Sequence, residues 1–263
     1  NKICYPSDIL RHPPEVDILE KLLELASEFN FRVFVGLPNL IVDWMIAGEQ
    51  ELSNVIKTSK RVARELVKKY GNYTSFYGWY LPYELCNVFV MRDSRGQKLP
   101  SWIGRLKEVC KEVAPDKPVA MAPYFTTILQ IEEFEALWDK IFRETGVDIV
   151  IMQDGVGIYG EERIRELDAH FAILSNICAR HRIDLWADSE VFRQISGIPI
   201  NDEEWRAVPA DFQRLRQQAD ILARYVSKIV IFCFQTYMSP ITSERAGELY
   251  RDYKAYYISR KER

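Results

Sequence analysis

Four carboxylates carry the chemistry this sequence is equipped to do. Glu84 stands just beyond the run Tyr77-Gly78-Trp79-Tyr80-Leu81-Pro82-Tyr83, and Asp154 closes Asp148–Gln153 and leads into Gly155-Val156-Gly157. Asp188 and Glu190 follow Leu185-Trp186-Ala187, two positions apart and so on one side of an extended chain. Two carboxyl groups flanking a glycosidic bond can hydrolyse it, one as acid and the other as nucleophile or base. On that reading Glu84 is the general acid/base, Glu190 the nucleophile, and Asp154 and Asp188 bind hydroxyls or tune pKa values. The plainer reading is that each acid pairs with a loop arginine or caps the following helix. Both remain open at the level of sequence.

Aromatic residues gather in the same segments: Trp44, Tyr80, Tyr83, Tyr124, Phe125, Tyr159, Trp186 and Tyr237. Sugar rings present apolar C–H faces that stack on such side chains, while their hydroxyls need partners such as Asn39, Gln153 and Gln235. Trp186 counts among the candidate contacts although, like Trp79, it sits inside a strand and fits a core position equally well.

What is missing narrows the chemistry. Three histidines, His12, His170 and His181, do not provide the strand-end set of a metal-dependent hydrolase. No GxGxxG or GxxxxGK[ST] phosphate loop, nucleophile-elbow serine or strand-core lysine occurs. The five cysteines form no CxxC pair and read as scattered buried thiols. A reaction needing neither metal nor cofactor remains. The net charge of -3 gives no footprint for nucleic acid, and no apolar run approaches the roughly 20 residues of a membrane span.

The elements that must position these residues alternate strictly. Strands are expected at Arg32–Leu37, Phe76–Leu81, Pro118–Pro123, Asp148–Gln153, Asp184–Asp188 and Lys228–Phe234. Amphipathic helices are expected at about Val16–Phe29, Glu51–Lys69, Trp102–Val113, Ile131–Arg143, Glu161–Arg180, Asp211–Tyr225 and Ser243–Ile258. Strands this apolar are buried on both faces of a parallel sheet. With no hairpin signal, a closed barrel and an open doubly wound sheet both fit. Chemistry-bearing loops after nearly every strand favour the barrel, whose strand ends share one mouth. The expected fold is therefore α/β, a (β/α)8 TIM barrel with six β/α units visible, as one domain over residues 1–263. The first strand, its helix and the second strand are expected to be missing before Asn1. Glu84 and Glu190 then end the fourth and seventh strands of the full barrel.

Phe76–Glu84 (FYGWYLPYE), Met121–Phe125 (MAPYF), Asp148–Gly157 (DIVIMQDGVG), Leu185–Phe192 (LWADSEVF) and Phe232–Pro240 (FCFQTYMSP), with the opening Tyr5-Pro6-Ser7, occur in that order. Together they resemble the strand-end motifs of a glycoside-hydrolase-like TIM-barrel family classed as a domain of unknown function. The resemblance runs over almost the whole chain. It implies the barrel, a carbohydrate partner, and Glu84, Asp154 and Glu190 as site residues. It also implies a bacterial protein, often secreted or periplasmic. Sugar, linkage and oligomeric state are not given by these motifs, and a non-catalytic carbohydrate-binding barrel stands as the alternative function.

Overall fold

The structure, a computed structural model, describes residues 3–261 apart from 11, 13 and 42. Its strands are β1 (Val33–Gly36), β2 (Phe76–Leu81), β3 (Val119–Met121), β4 (Ile149–Gln153), β5 (Asp184–Glu190), β6 (Phe192–Ser196), β7 (Arg206–Pro209) and β8 (Lys228–Phe232). The helices are α1 (Ile18–Glu28), α2 (Glu49–Tyr70), α3 (Asn87–Arg92), α4 (Leu99–Val113), α5 (Ile131–Thr145), α6 (Val156–Tyr159), α7 (Glu161–His181), α8 (Phe212–Leu222), α9 (Phe234–Tyr237) and α10 (Glu244–Lys261). Every strand and long helix expected from the sequence is present, with ends shifted by a few residues. The fold is α/β, with a parallel sheet and helices between its strands.

Contacts separate the chain into two compact units. The first comprises Asn1–Thr126, Ala136–Val150 and Arg180–Ile183. In it β1 pairs with β2, β2 with β3, and β3 with the start of β4, all in parallel. Trp79, Leu81, Val119, Ala120 and Met121 are buried, which is why these strands read as continuous apolar runs. α2 lays Val55, Val62, Ala63 and Leu66 inward, at spacings that share one helix face. Its first turn is fixed by Glu51, which accepts from the Gly48 N–H at 2.9 Å. α1 is capped by Asp17, whose carboxylate accepts from the Glu20 N–H and from the Tyr70 hydroxyl. α1 carries two apolar stripes. Leu19, Leu23 and Ala26 are buried, whereas Ile18, Leu22, Leu25 and Phe29 are 50–64% exposed.

One buried acid anchors the opening segment. Glu65 of α2 accepts from the Tyr5 and Ser7 hydroxyls at 2.8 and 2.6 Å and from the Asp8 N–H at 2.7 Å. Burial alone would raise its pKa, but these three donors and Lys69 hold it below the usual glutamate value.

The second unit comprises Thr127–Glu135, Ile151–Ala179 and Asp184–Arg263. The end of β4 neighbours β5, and β5 pairs in parallel with β8 from Trp186–Lys228 to Glu190–Phe232. β6 and β7 form an antiparallel pair, which corrects the expectation of a chain without hairpins. Phe192, Gln194 and Ser196 are buried and Arg193 and Ile195 exposed, the alternation of a half-buried strand, but with a buried Gln and an exposed Ile it does not show as alternating apolarity. Gly197, with φ at +93°, begins the turn between them. Phe192, Leu215, Tyr237, Met238 and Leu249 make a core cluster under this pair.

Candidate functional site

In the first unit Glu84 stands at the lip of a pocket. The β2 ladder stops at Leu81, because Pro82 has no N–H to donate. Tyr83 turns inward and is fully buried. Its ring lies 4.8 Å from that of Trp102 and 5.5 Å from that of Trp44, and its hydroxyl donates to the Pro38 carbonyl at 3.3 Å. Glu84, next along the chain, is exposed. It lines a cavity of about 300 Å³ with Asn39, Trp44, Met45, Pro82, Phe89 and Tyr124.

The walls of this cavity are held from behind. Trp44 stacks on Trp102 at 5.8 Å, and the Trp102 indole donates to the Leu52 carbonyl at 3.1 Å. The Tyr124 N–H donates to the Leu85 carbonyl at 3.0 Å, and its ring meets Phe89 edge-on at 6.0 Å. The buried Asn87 amide both donates to and accepts from the Thr126 backbone. A carboxylate, an amide and aromatic faces thus share one small cavity, the equipment for gripping a polar ring.

In the second unit Glu190 ends β5 and is only 4% exposed. Its Oε2 accepts from the Gly157 N–H at 2.7 Å and the Ile158 N–H at 3.3 Å. Gly155, with φ at +70°, makes the left-handed turn that aims these N–H groups. Gly157 lets the backbone approach, since a Cβ there would lie 2.9 Å from Glu190 Oε2 and 2.7 Å from the Phe192 carbonyl oxygen.

Asp154 is fully buried. Oδ1 accepts from the Val156 N–H at 3.0 Å and the Glu190 N–H at 3.3 Å. Oδ2 accepts from the Gln218 amide at 2.6 Å and the Ser189 hydroxyl at 3.1 Å. The Arg214 guanidinium donates to the Glu190 carbonyl at 2.6 Å and to the Val156 carbonyl at 3.5 Å.

Burial raises the pKa of both acids, that of Glu190 to about 8, with the Asp154 and Asp188 charges adding to the effect. Asp154 has four hydrogen-bond donors to oppose that effect and Glu190 two. Burial also lowers the pKa of Arg214 and Arg163, opposed for Arg214 chiefly by Asp154 and Glu190 and for Arg163 chiefly by Glu166.

Several expected contacts lie elsewhere. Asp154, expected as a substrate ligand, has its carboxylate enclosed by protein donors. Trp186 is buried, its indole donates to Asp184 at 2.7 Å, and the Lys228 ammonium lies 4.2 Å over its ring. Asp184 and Lys228 begin β5 and β8, so Trp186 sits near the strand starts, away from the ends where chemistry was expected. Tyr237 packs 5.2 Å from Phe192 in the core cluster, and Tyr83 supports the pocket wall from within. Tyr80, Gln153 and Asp188 are half-buried on β2, β4 and β5, and Gln235 is exposed on α9.

Arg214 and Gln218 were not among the expected site residues. They stand four apart on α8, on the face that also buries Leu215 and Leu222. Polar side chains within an apolar helical stripe were the available signal. Among the described residues no group of three or more His, Cys, Asp or Glu is placed to hold a metal, and no helix is long and apolar enough to cross a membrane.

The family described as Domain of unknown function (DUF4434) matches residues 1–244. No curated protein matches the chain. Among solved structures, a candidate alpha-L-fucosidase from Bacteroides thetaiotaomicron is 26% identical with a TM-score of 0.80, over 97% of this chain and 77% of that one. An intracellular xylanase from Thermoanaerobacterium saccharolyticum is 16% identical with a TM-score of 0.53, over 87% and 74% of the two chains. A psychrophilic glycoside hydrolase family 10 endo-β-1,4-xylanase is 15% identical with a TM-score of 0.57, over 91% and 78%. The fold is thus similar to that of TIM-barrel glycosidases.

Proposed function

We propose that this chain, which belongs to the DUF4434 family, is an O-glycoside hydrolase acting on an oligo- or polysaccharide through Glu84 and Glu190. The observation that carries the reading is the Glu84 cavity, in which Asn39, Trp44 and Tyr124 surround an exposed carboxylate, in a chain whose structural relatives are named as glycosidases. The roles follow from the strand ends each acid occupies. Ionised Glu190 attacks the anomeric carbon while Glu84 gives its proton to the departing oxygen. Glu84 then takes a proton from water, whose oxygen displaces Glu190 and regenerates both groups. Asp188, half-buried beside Glu190 on β5, serves a sugar hydroxyl or the charge balance. Water is the only co-reactant.

The burial of Glu190 favours a second reading, a carbohydrate-binding domain without catalysis. A carboxyl that is 4% exposed and retains its proton to about 8 is a reluctant nucleophile.

A panel of glycosides headed by α-L-fucosides and β-1,4-xylo-oligosaccharides separates the two readings. Sugar release is followed in the wild type, Glu84→Gln and Glu190→Gln, and binding is followed by the fluorescence of Trp44. Release that falls by about 10²–10⁴ in Glu84→Gln with binding retained supports hydrolysis. Binding without release in the wild type, unchanged in Glu84→Gln, supports the binding domain. Neither binding nor release from any glycoside removes both.

A further inference from the structure

Glu190 is held at two levels. Its carboxyl is pinned through Oε2 to the Gly157 and Ile158 N–H groups, so Oε1 is the oxygen left to meet a substrate. Those N–H groups are useful only if the turn that carries them keeps its place beside the end of β5. Asp154 makes that connection directly, because one oxygen receives both the Val156 N–H of the turn and the Glu190 N–H of the strand. Its other oxygen is fixed by Gln218 from α8 and Ser189 from β5. Arg214 repeats the tie from the acceptor side, bridging the carbonyls of Val156 and Glu190.

We infer that Asp154 is a positioning residue for Glu190: its carboxylate locks the end of β5 to the Gly155–Ile158 turn, so that the turn holds Oε2 and Glu190 offers Oε1. The inference rests on the reading of Glu190 as the nucleophile, and it gives Asp154 a role other than touching sugar. The charged groups facing Glu190 are Asp154 from the end of β4, Asp188 from its own strand, Arg163 from α7 and Arg214 from α8. Replacing Asp154 by a neutral isostere therefore has two effects. It loosens the turn, and it removes one negative charge that opposes ionisation of Glu190, so the acidic limb of the rate profile moves to lower pH.

The test combines hydrogen exchange with kinetics on Asp154→Asn, Ser189→Ala and Gln218→Leu. The expected result is exchange of the Val156–Ile158 amides about tenfold faster in Asp154→Asn, with smaller changes of the same sign in the other two. On any glycoside the wild type cleaves, kcat falls at least about tenfold with KM within about twofold, and the acidic limb moves down. Unchanged amide exchange in folded Asp154→Asn overturns the inference, as does a loss confined to KM, which marks a substrate ligand. If Asp154→Asn does not fold, the other two variants decide, and unchanged exchange in both overturns it. A wild type that cleaves nothing removes the hydrolase reading alone, because the exchange measurement needs no substrate.

Discussion

Gly157→Ala is the sharpest probe of the Glu190 pocket, because it adds one methyl group and no charge. A Cβ at this position would lie 2.7 Å from the Phe192 carbonyl oxygen, 2.8 Å from the Phe192 ring and 2.9 Å from Glu190 Oε2. The carbonyl belongs to the first residue of β6, so it moves only if that end of the β6–β7 pair moves with it. The ring is held too, being 3% exposed and packed against Trp205, Phe232 and Tyr237. The carboxyl is the group that gives way, and in doing so it loses its N–H partners. Overpacking of a buried site costs about 1–3 kcal/mol, and loss of a hydrogen bond to a carboxyl adds to it. A total of about 2–3 kcal/mol lowers Tm by roughly 4–12 °C for a chain of this size. Gly146→Ala is the control. Its Cβ would meet nothing within 4 Å, so only its φ of +54° penalises alanine, by about 1 kcal/mol. Calorimetry of the wild type and both variants reads the difference. A Gly157→Ala melting temperature no lower than that of Gly146→Ala refutes the close-approach account of the pocket.

The raised pKa of Glu190 makes stability depend on pH. Its folded pKa is raised, so its contribution is complete below the ordinary glutamate value and is lost as pH climbs towards about 8, at up to ~1.4 kcal/mol per pH unit. Urea unfolding at pH 5.5 and 8.5 should show that loss in the wild type and a smaller one in Glu190→Gln; equal slopes exclude it. Glu65 has the opposite sign, because its lowered pKa gives stability that is present above the ordinary glutamate value and is lost on acidification. Glu65→Ala should expose residues 3–10 to limited proteolysis at neutral pH, and an unchanged cleavage rate would mean that other contacts hold the segment. Trp186→Phe removes the bond to Asp184 and should cost about 1 kcal/mol while leaving sugar binding intact. A loss of binding would return Trp186 to the sugar site.

The frame of the fold was legible because strands buried on both faces have little choice of residue. Phe76–Leu81 and residues 149–152 carry no charged or amide side chain, and each is followed closely by a chain-breaking Pro or Gly. The β6–β7 pair was not, since Phe192–Ser196 alternates over only five residues and the long connection to Arg206–Pro209 has no two-residue turn signature. At the site, residue type was readable and direction was not. A tyrosine beside Glu84 suits either a pocket wall or the core. Only the packing of Trp44 and Trp102 turns Tyr83 inward. The enclosure of Asp154 depends on Gln218, 64 residues away in sequence, a partner that no local pattern announces.

The outward stripe of α1 has a practical consequence for anyone who handles this protein. Side chains at Ile18, Leu22, Leu25 and Phe29 form an oily seam along one helix. Kosmotropic salts strengthen apolar burial, so ammonium sulfate should precipitate the wild type at a lower concentration than a Leu22→Glu, Leu25→Lys variant. The salting-out curve of a purified sample then becomes a reading of one helical face, obtained before any sugar is added.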